Sequence, residues 1–478
     1  MSSKKIISTA IAYANGAPHI GHAFEFAMTD AIARFLTLQG DDVFFVTGMD
    51  EHGQKVEEKA KEKGVPVQTF VEGYASMFRE LDRELSVDYD FFVRTSDKQK
   101  HYKGAQMLWE KLAANGDIEK RTYSALYCVG CEEFKTEKEL NEQGECPAHL
   151  KKPEVVEEEN YFFKLSRYTN DLHARIISDE LQILPEARKN EILALLDRGL
   201  EDVSFSRPVS KVSWGIPVPG DDTHVMYVWC DALSNYITAL GYGYDTFDSE
   251  RWNDATHVIG KDILRFHAAI WPAMLLSAGL SLPKRILVHG HITSGGQKMS
   301  KSLGNVIDPQ TVIDLFRVPA GELAGEALRF ILLHEIPSFE DGDLTMDSIK
   351  TAYTAYLANG IGNLTNRIMK MAVNGGVVFD HSTTKEKIEM REAYDVKRHL
   401  EEIMRRVGAL DKRIQDEEPF KVIKVDEVKG KAIIAELLTA LYTIAEDLVP
   451  YMPKTSAKIL EYVTSGVMPE KPLFNRLG

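Results

Sequence analysis

The sequence predicts an α/β fold: a parallel-sheet domain, split by an insertion and followed by an all-α helix bundle. Three observations carry that expectation. Short β-branched and apolar runs alternate with helical stretches over residues 1–114 and again over 225–325. Between them, from about Asn115-Gly116 to Pro219, the chain turns to short strands, clustered cysteines and charge, which marks the insertion. From about Ile349 onward strand signals vanish and an apolar spacing of three and four takes over.

Taken in order, Ile6-Ile7-Ser8-Thr9-Ala10-Ile11 reads as a first strand, followed at once by the turn formers of Ala14–His22. Helical spacing begins at Ala23, with Phe26, Ala27, Ile32 and Phe35 on the same side, and Gly40 closes it. Val43–Val46 is a second buried strand, completing a βαβ unit with a right-handed crossover. Thr47–Gly53 then reads as a loop at its carboxyl end, beside the Ala14–His22 turn. Amphipathic helices follow within Gln54–Lys63, from Val67 to Leu85 and around Met107–Leu112. The parallel-sheet pattern resumes at Val225–Trp229 and continues with His257–Gly260, a helix from Lys261 to about Ser277, and a strand at Ile286–Val288. Ile434, Leu437, Leu438, Leu441, Ala445 and Leu448 mark one buried helix face, stopped by Pro450 and Pro453. The expected divisions are 1–114 and 225–325 for the split sheet domain, 115–224 for the insertion, 326–348 for a junction and 349–478 for the bundle.

At 478 residues the chain is long enough for two to four domains of roughly 150 residues each. Its 44% hydrophobic and 27% charged residues are those of a soluble globular protein. The formal charge of −15 decides nothing about a nucleic-acid partner, because RNA needs only a local basic surface. Three of the four cysteines have metal-ligand spacing, which favours a reducing compartment over a disulfide framework. The basic start Met1–Lys5 leads into an apolar run too short for a signal peptide, and no stretch is long enough to span a membrane. A cytoplasmic protein with no membrane partner is expected.

Three motifs carry chemistry. A strand running through a Gly/Pro turn into a helix N-terminus gathers backbone N–H groups and the positive dipole end in one place. His19 and His22, spaced i, i+3 there, can face one anion, and Gly21 between them keeps the approach open. The local reading is a nucleotide-phosphate site, against the alternative of two ordinary surface histidines. Far down the chain, Gly295-Gly296-Gln297-Lys298-Met299-Ser300-Lys301-Ser302 follows another apolar strand and carries two lysines i, i+3, which alone would be a solvated charge pair. Cys128-x-x-Cys131 with Cys146-Pro147-Ala148-His149 can close a tetrahedron of three thiolates and one imidazole around one structural Zn2+ per chain. The alternative is a knuckle that has lost its metal. Cys230, in an apolar segment, reads as a small core or pocket residue.

His19-Ile20-Gly21-His22 and Lys298-Met299-Ser300-Lys301-Ser302 resemble the two signatures of class I aminoacyl-tRNA synthetases. Tyr127–Phe134, Ala10–Gly16, Tyr227–Leu233 and Ile259–His267 narrow the resemblance to the methionine-specific members, and it covers nearly the whole chain. It implies a split Rossmann-like catalytic domain with a zinc-knuckle insertion, and a helical anticodon-binding domain. The implied activity is that of a methionine–tRNA ligase, joining L-methionine to ATP as methionyl-adenylate and passing the acyl group to tRNA(Met). His19, His22, Lys298 and Lys301 would be catalytic. Asn15, Pro18, Gly21, Gly260, Lys261, Asp262, Met299 and Ser300 would hold ATP, with Mg2+ accompanying it. Ile11, Ala12, Tyr13, Trp229, Ala232, Leu233, Tyr236, Ile263 and His267 would form the methionine pocket, and Asp50 would hold the ammonium group. A polar tip from Tyr13 or His267 would meet the sulfur. Asn363, Arg367 and Phe420 would contact the CAU anticodon, Phe420 standing where family members commonly have tryptophan. The β-barrel that some members append does not follow the bundle, so a monomer is expected. Competing readings are another class I synthetase, a nucleotidylyltransferase of the His-x-Gly-His type acting on a small molecule, and a non-catalytic tRNA-binding relative.

Overall fold

A computed structural model of the chain describes residues 3–131, 133–135, 139–299, 305–380, 382 and 394–477. Its centre is a parallel sheet with the strand order Phe91–Arg94, Asp42–Asp50, Lys4–Thr9, Ala255–Gly260, Arg285–His289, Gln182–Leu184, to which Ala12–Tyr13 adds beside Met49 and Asp50. From the neighbours Lys4–Thr9 and Ala255–Gly260, paired from Ile6 opposite Ala255 to Thr9 opposite Val258, the chain steps to Asp42–Asp50 on one side and to Arg285–His289 on the other. That is a topological switch point, and the carboxyl ends of the two strands diverge there to leave a crevice.

The first helix begins at Ile20, earlier than its apolar spacing suggests, because His19 caps it with its own side chain. The second long strand runs on through Thr47 to Asp50, so only Glu51–Gly53 of the expected loop is loop. The other early helices stand close to expectation, at Gln54–Glu62, Val67–Glu84 and Tyr102–Ala114.

Two expectations need correction. Val225–Trp229 is not a strand of the parallel sheet: Asp221–Met226 pairs antiparallel with Ser206–Pro208, and Val228–Leu233 is a helix. An apolar run that is buried on every side carries no period, so strand and helix look alike in it. The span 115–224 is also not wholly an excursion from the sheet, since Gln182–Leu184 is hydrogen-bonded beside Arg285–Leu287 as its edge strand. The excursion proper is a ribbon of Ile118–Cys128 against Glu154–Phe163, in register from Ile118 opposite Phe163 to Tyr127 opposite Glu154, with the cysteine knuckle at its far end.

After the short strand Gly342–Asp343 the described residues contain only helices, principally Met346–Ala352, Asn363–Gly375, Val396–Glu417, Pro419–Val425, Glu427–Leu448 and Pro453–Ser465. The helical third shares one continuous apolar core with the first helix, from Phe24 and Ile32 through Phe330 to Leu437 and Leu448. A buried polar bridge crosses this junction. Arg329, fully buried, pairs with Asp30 of the first helix at 2.5 Å and donates to the carbonyls of Pro450 and Tyr451 at 2.8 and 2.7 Å.

Candidate active site

The crevice at the switch point is a cleft of about 540 Å³. Its walls bring together Ile11, Ala12, Tyr13, His19, Gly21, His22, Asp50, Trp229, Ala232, Leu233, Tyr236, Gly260, Asp262, Ile263, His267 and Met299, residues drawn from five separated stretches of the sequence. Pro18, Asn15 and Lys261 stand outside the lining. The Asn15 carbonyl accepts from Lys59, and the Lys261 ammonium lies 2.7 Å from each oxygen of Asp341. Ser300 and Lys301 fall outside the described residues, and Lys298 is described only in its backbone.

At the mouth, His19 Nδ1 accepts the backbone N–H groups of Gly21 and His22 at 3.1 and 3.3 Å, and His22 Nδ1 accepts that of His19 at 3.2 Å. The rings stack with centroids 3.7 Å apart. A Cβ on Gly21 would lie 3.0 Å from His19 Cε1, so glycine is what lets that ring fold back over the helix start. A neutral ring that accepts at Nδ1 carries its proton on Nε2. Burial lowers the pKa of His19, although one edge of it stays open to the cleft, and burial with the neighbouring His19 lowers that of His22 further. The pair therefore offers two neutral Nε2–H donors beside the positive end of a helix, a setting made for phosphate oxygens.

Deeper in, Trp229 stacks on Phe266 at 3.8 Å and 9° and forms a flat apolar wall. Tyr236 and His267, each 1% exposed, form the floor. His267 Nδ1 donates to the Ile263 carbonyl at 3.0 Å, which leaves Nε2 to accept the Tyr236 hydroxyl at 2.7 Å. Both ring nitrogens are thus committed. His267 and Tyr236 hold each other at the floor, the single Tyr236 hydroxyl proton being given to His267, while Tyr13 lines the cleft as well. Burial pushes the His267 imidazole down to about 4, so the ring is neutral.

Sequence reasoning missed Glu25 and His289. Glu25 Oε1 accepts the Ala10 N–H and Oε2 lies 2.9 Å from His289 Nε2, while His289 Nδ1 donates to the Gly290 carbonyl at 2.9 Å. Burial opposes the imidazolium, but the Glu25 carboxylate outweighs it and raises the His289 pKa; burial raises that of Glu25. Glu25 lies three residues beyond His22 on one helix face, which is a signal in the sequence; His289 ends an apolar strand and gave none.

Cys128, Cys131, Cys146 and His149 converge, with their ligand atoms all within 4.8 Å of one another. Cys131 Sγ lies 3.5 Å from Cys146 Sγ and 3.4 Å from His149 Nδ1. A zinc tetrahedron with arms of about 2.0–2.3 Å has edges of about 3.3–3.8 Å, so the donor set fits the metal. A Cβ at Gly130 would fall 2.4 Å from His149 Cγ, so the imidazole needs glycine beneath it. The knuckle reaches the cleft: Cys131 lines it, Lys55 donates to the Gly130 carbonyl, and Arg265 pairs with Glu133 at 3.4 Å.

The model for tRNA synthetases class I (M) matches residues 5–152 and 148–369. The chain belongs to that family. Over 96% of its length it is 39% identical to a methionine–tRNA ligase of Mesorhizobium japonicum, covering 91% of that protein. It is 38% identical to one of Thermotoga maritima over 99% of its length, covering 77% of the relative. Among solved structures, Mycobacterium tuberculosis methionyl-tRNA synthetase in complex with methionyl-adenylate superposes with a TM-score of 0.90 at 33% identity, each chain covered in full.

In the helical third of this synthetase, Asn363 is exposed and Arg367 is paired with Asp411 of the neighbouring helix. Phe420, 42% exposed, follows Pro419 at the start of its helix, with the Lys421 ammonium 6.0 Å from its ring.

Proposed function

We propose that this chain activates L-methionine with ATP and transfers the methionyl group to tRNA(Met), and that the switch-point cleft is where both steps occur. The observation that carries the residue-level reading is the cleft itself: an apolar, aromatic slot ending in Tyr236 Oη lies beside a helix N-terminus bearing two neutral imidazole donors. Trp229, Ile11 and Leu233 enclose a flexible thioether, and the aromatic faces attract its sulfur. Asp50, at the carboxyl end of its strand, takes the ammonium group. The methionine carboxylate attacks the α-phosphorus of ATP in line, a P–O bond forms, and pyrophosphate leaves with its bonding pair. Charge grows on the phosphate oxygens, and the His19 and His22 Nε2–H groups stabilise it together with the lysines of the 298–301 loop. Gly260 and Asp262 face the nucleotide half of the cleft. Mg2+ enters as part of the ATP substrate. The tRNA terminal hydroxyl then takes the acyl group and AMP leaves.

Zinc held by Cys128, Cys131, Cys146 and His149 is structural, because four protein ligands leave no open position. Asn363, Arg367 and Phe420 read the CAU anticodon, Phe420 by stacking and Arg367 after exchanging Asp411 for a base. Among the described residues no helix is long and apolar enough to cross a membrane, and a cysteine knuckle of this kind suits the reducing cytoplasm. The chain acts there as a monomer, which light scattering of the purified protein checks directly. ATP–pyrophosphate exchange across the twenty amino acids tests the activity. Methionine should drive exchange well above all others, and exchange driven best by another amino acid would refute the reading.

A further inference from the structure

Between the hairpin that leads to Lys298 and the helical third, the chain forms a strap across the cleft edge. Gly342–Asp343 adds to the strand Ile292–Ser294 in parallel register, Ile292 opposite Gly342 and Thr293 opposite Asp343. The strap lies tight against the turn before that strand, for a Cβ on Gly290 would sit 2.3 Å from the Glu340 carbonyl carbon. Two carboxylates on it face active-site loops. Asp341 accepts the His291 N–H at 2.9 Å and holds the Lys261 ammonium at 2.7 Å on both oxygens. Asp343 Oδ1 accepts the Gly296 N–H at 2.8 Å and the Thr293 hydroxyl at 2.7 Å.

The second pair matters for the turn that Asp343 touches. Gly295 and Gly296 have φ of 63° and 72°, the conformation of a two-residue turn, and they join Ile292–Ser294 to Gln297–Lys298. Two adjacent glycines give a turn little stiffness of its own, so an acceptor outside the hairpin sets where its tip stands. The strap runs directly on into the Thr345-capped helix Met346–Ala352, the first of the helical third.

We propose that Asp343 is a positioning residue for adenylate formation: its carboxylate fixes the Gly295-Gly296 turn, and with it the Lys298 strand, in register with the helical third. This rests on the reading that the Lys298–Lys301 loop serves ATP. Asp341 acts alongside, keeping Lys261 and His291 at the same edge. Asp343→Ala removes both hydrogen bonds, whereas Asp343→Asn keeps Oδ1 as an acceptor. In the full chain, Asp343→Ala should lower kcat for methionine-dependent ATP–pyrophosphate exchange about tenfold to hundredfold, with the KM for methionine within about twofold of the parent. Asp343→Asn should recover most of that loss. Unchanged exchange in Asp343→Ala would overturn the proposal. So would parallel losses of methionine affinity and thermal stability in both variants, which mean a plain structural role. Lys301→Ala separates the two readings: normal exchange there refutes the lysine loop, whereas loss there with full activity in Asp343→Ala refutes the strap alone.

Discussion

At the scale of single residues, the side chains of the cleft are set by which of their atoms the protein already occupies. Tyr236 and His267 hold each other at the floor, so Tyr236→Phe leaves the buried His267 Nε2 without its donor, loosens the pocket and should raise the KM for methionine about tenfold, with the KM for ATP unmoved; equal changes in both would remove Tyr236 from the methionine half. His267 has a folded pKa of about 4 against an ordinary 6.5. The unfolded chain therefore takes up this proton first as pH falls. Stability is full above about 6.5, drops through the interval down to about 4 by up to about 3 kcal/mol, and is level below it as far as this group is concerned. Buried His22 and His257, whose pKa values are also lowered, act in the same direction. Urea unfolding at stepped pH reads this slope, and His267→Gln should make it shallower. The residue types stood in the sequence, and the family resemblance grouped most of those that line the cleft, though not Glu25 or His289, and it included Asn15, Pro18 and Lys261, which stand outside the lining. The sequence did not show tautomers, because those depend on backbone carbonyls such as that of Ile263, whose place only the fold decides.

At the scale of elements, the first helix and the knuckle were legible for opposite reasons. Apolar spacing located the helix, but its first residue is set by a side-chain cap that no period records. Ligand spacing located the knuckle, and its four donors do converge. What spacing could not reveal is where the knuckle rests, since Lys55 and Arg265 meet it from distant parts of the chain. Val225–Trp229 departs from the expected strand because a run buried on all sides has neither the strand nor the helix period. Metal analysis should find about one zinc per chain, as four ligands and no open position require. Chelation should lower the melting temperature and raise the KM for methionine, because the knuckle borders the cleft at Cys131. A chelated protein with unaltered melting and kinetics would dissociate the knuckle from the site.

At the scale of the whole molecule, the helical third is joined to the catalytic sheet through a common core and through polar contacts, of which those of Glu326 and Arg329 on the helix Ala324–Glu335 are buried. Glu326 on it accepts the N–H groups of Lys454 and Thr455 at 2.6 and 2.8 Å and so caps the last long helix, while Arg329, three residues on, ties Asp30 to the bundle. Arg329→Ala leaves the buried Asp30 carboxylate to Arg34 alone and strips the Pro450 and Tyr451 carbonyls of their donor, and should cost about 3–5 kcal/mol in urea unfolding; a cost below about 1 kcal/mol would mean that water or relaxation replaces it. Arg367→Ala and Phe420→Ala lie far from the cleft in sequence and on other helices. Each should weaken charging of tRNA with a CAU anticodon while leaving ATP–pyrophosphate exchange intact, and normal charging in both would reject those contacts. The order of domains could be seen in the sequence, but the bridge could not, because a buried arginine in an apolar helix looks like a surface one. The central claim is that the paired imidazoles at the first helix serve phosphate and not methionine. It is tested most directly by measuring His22→Ala for both ATP–pyrophosphate exchange and methionine dissociation. Exchange should fall about a hundredfold or more with methionine affinity within about twofold of the parent; undiminished exchange, or a matching loss of methionine affinity, would contradict a phosphate role for the pair.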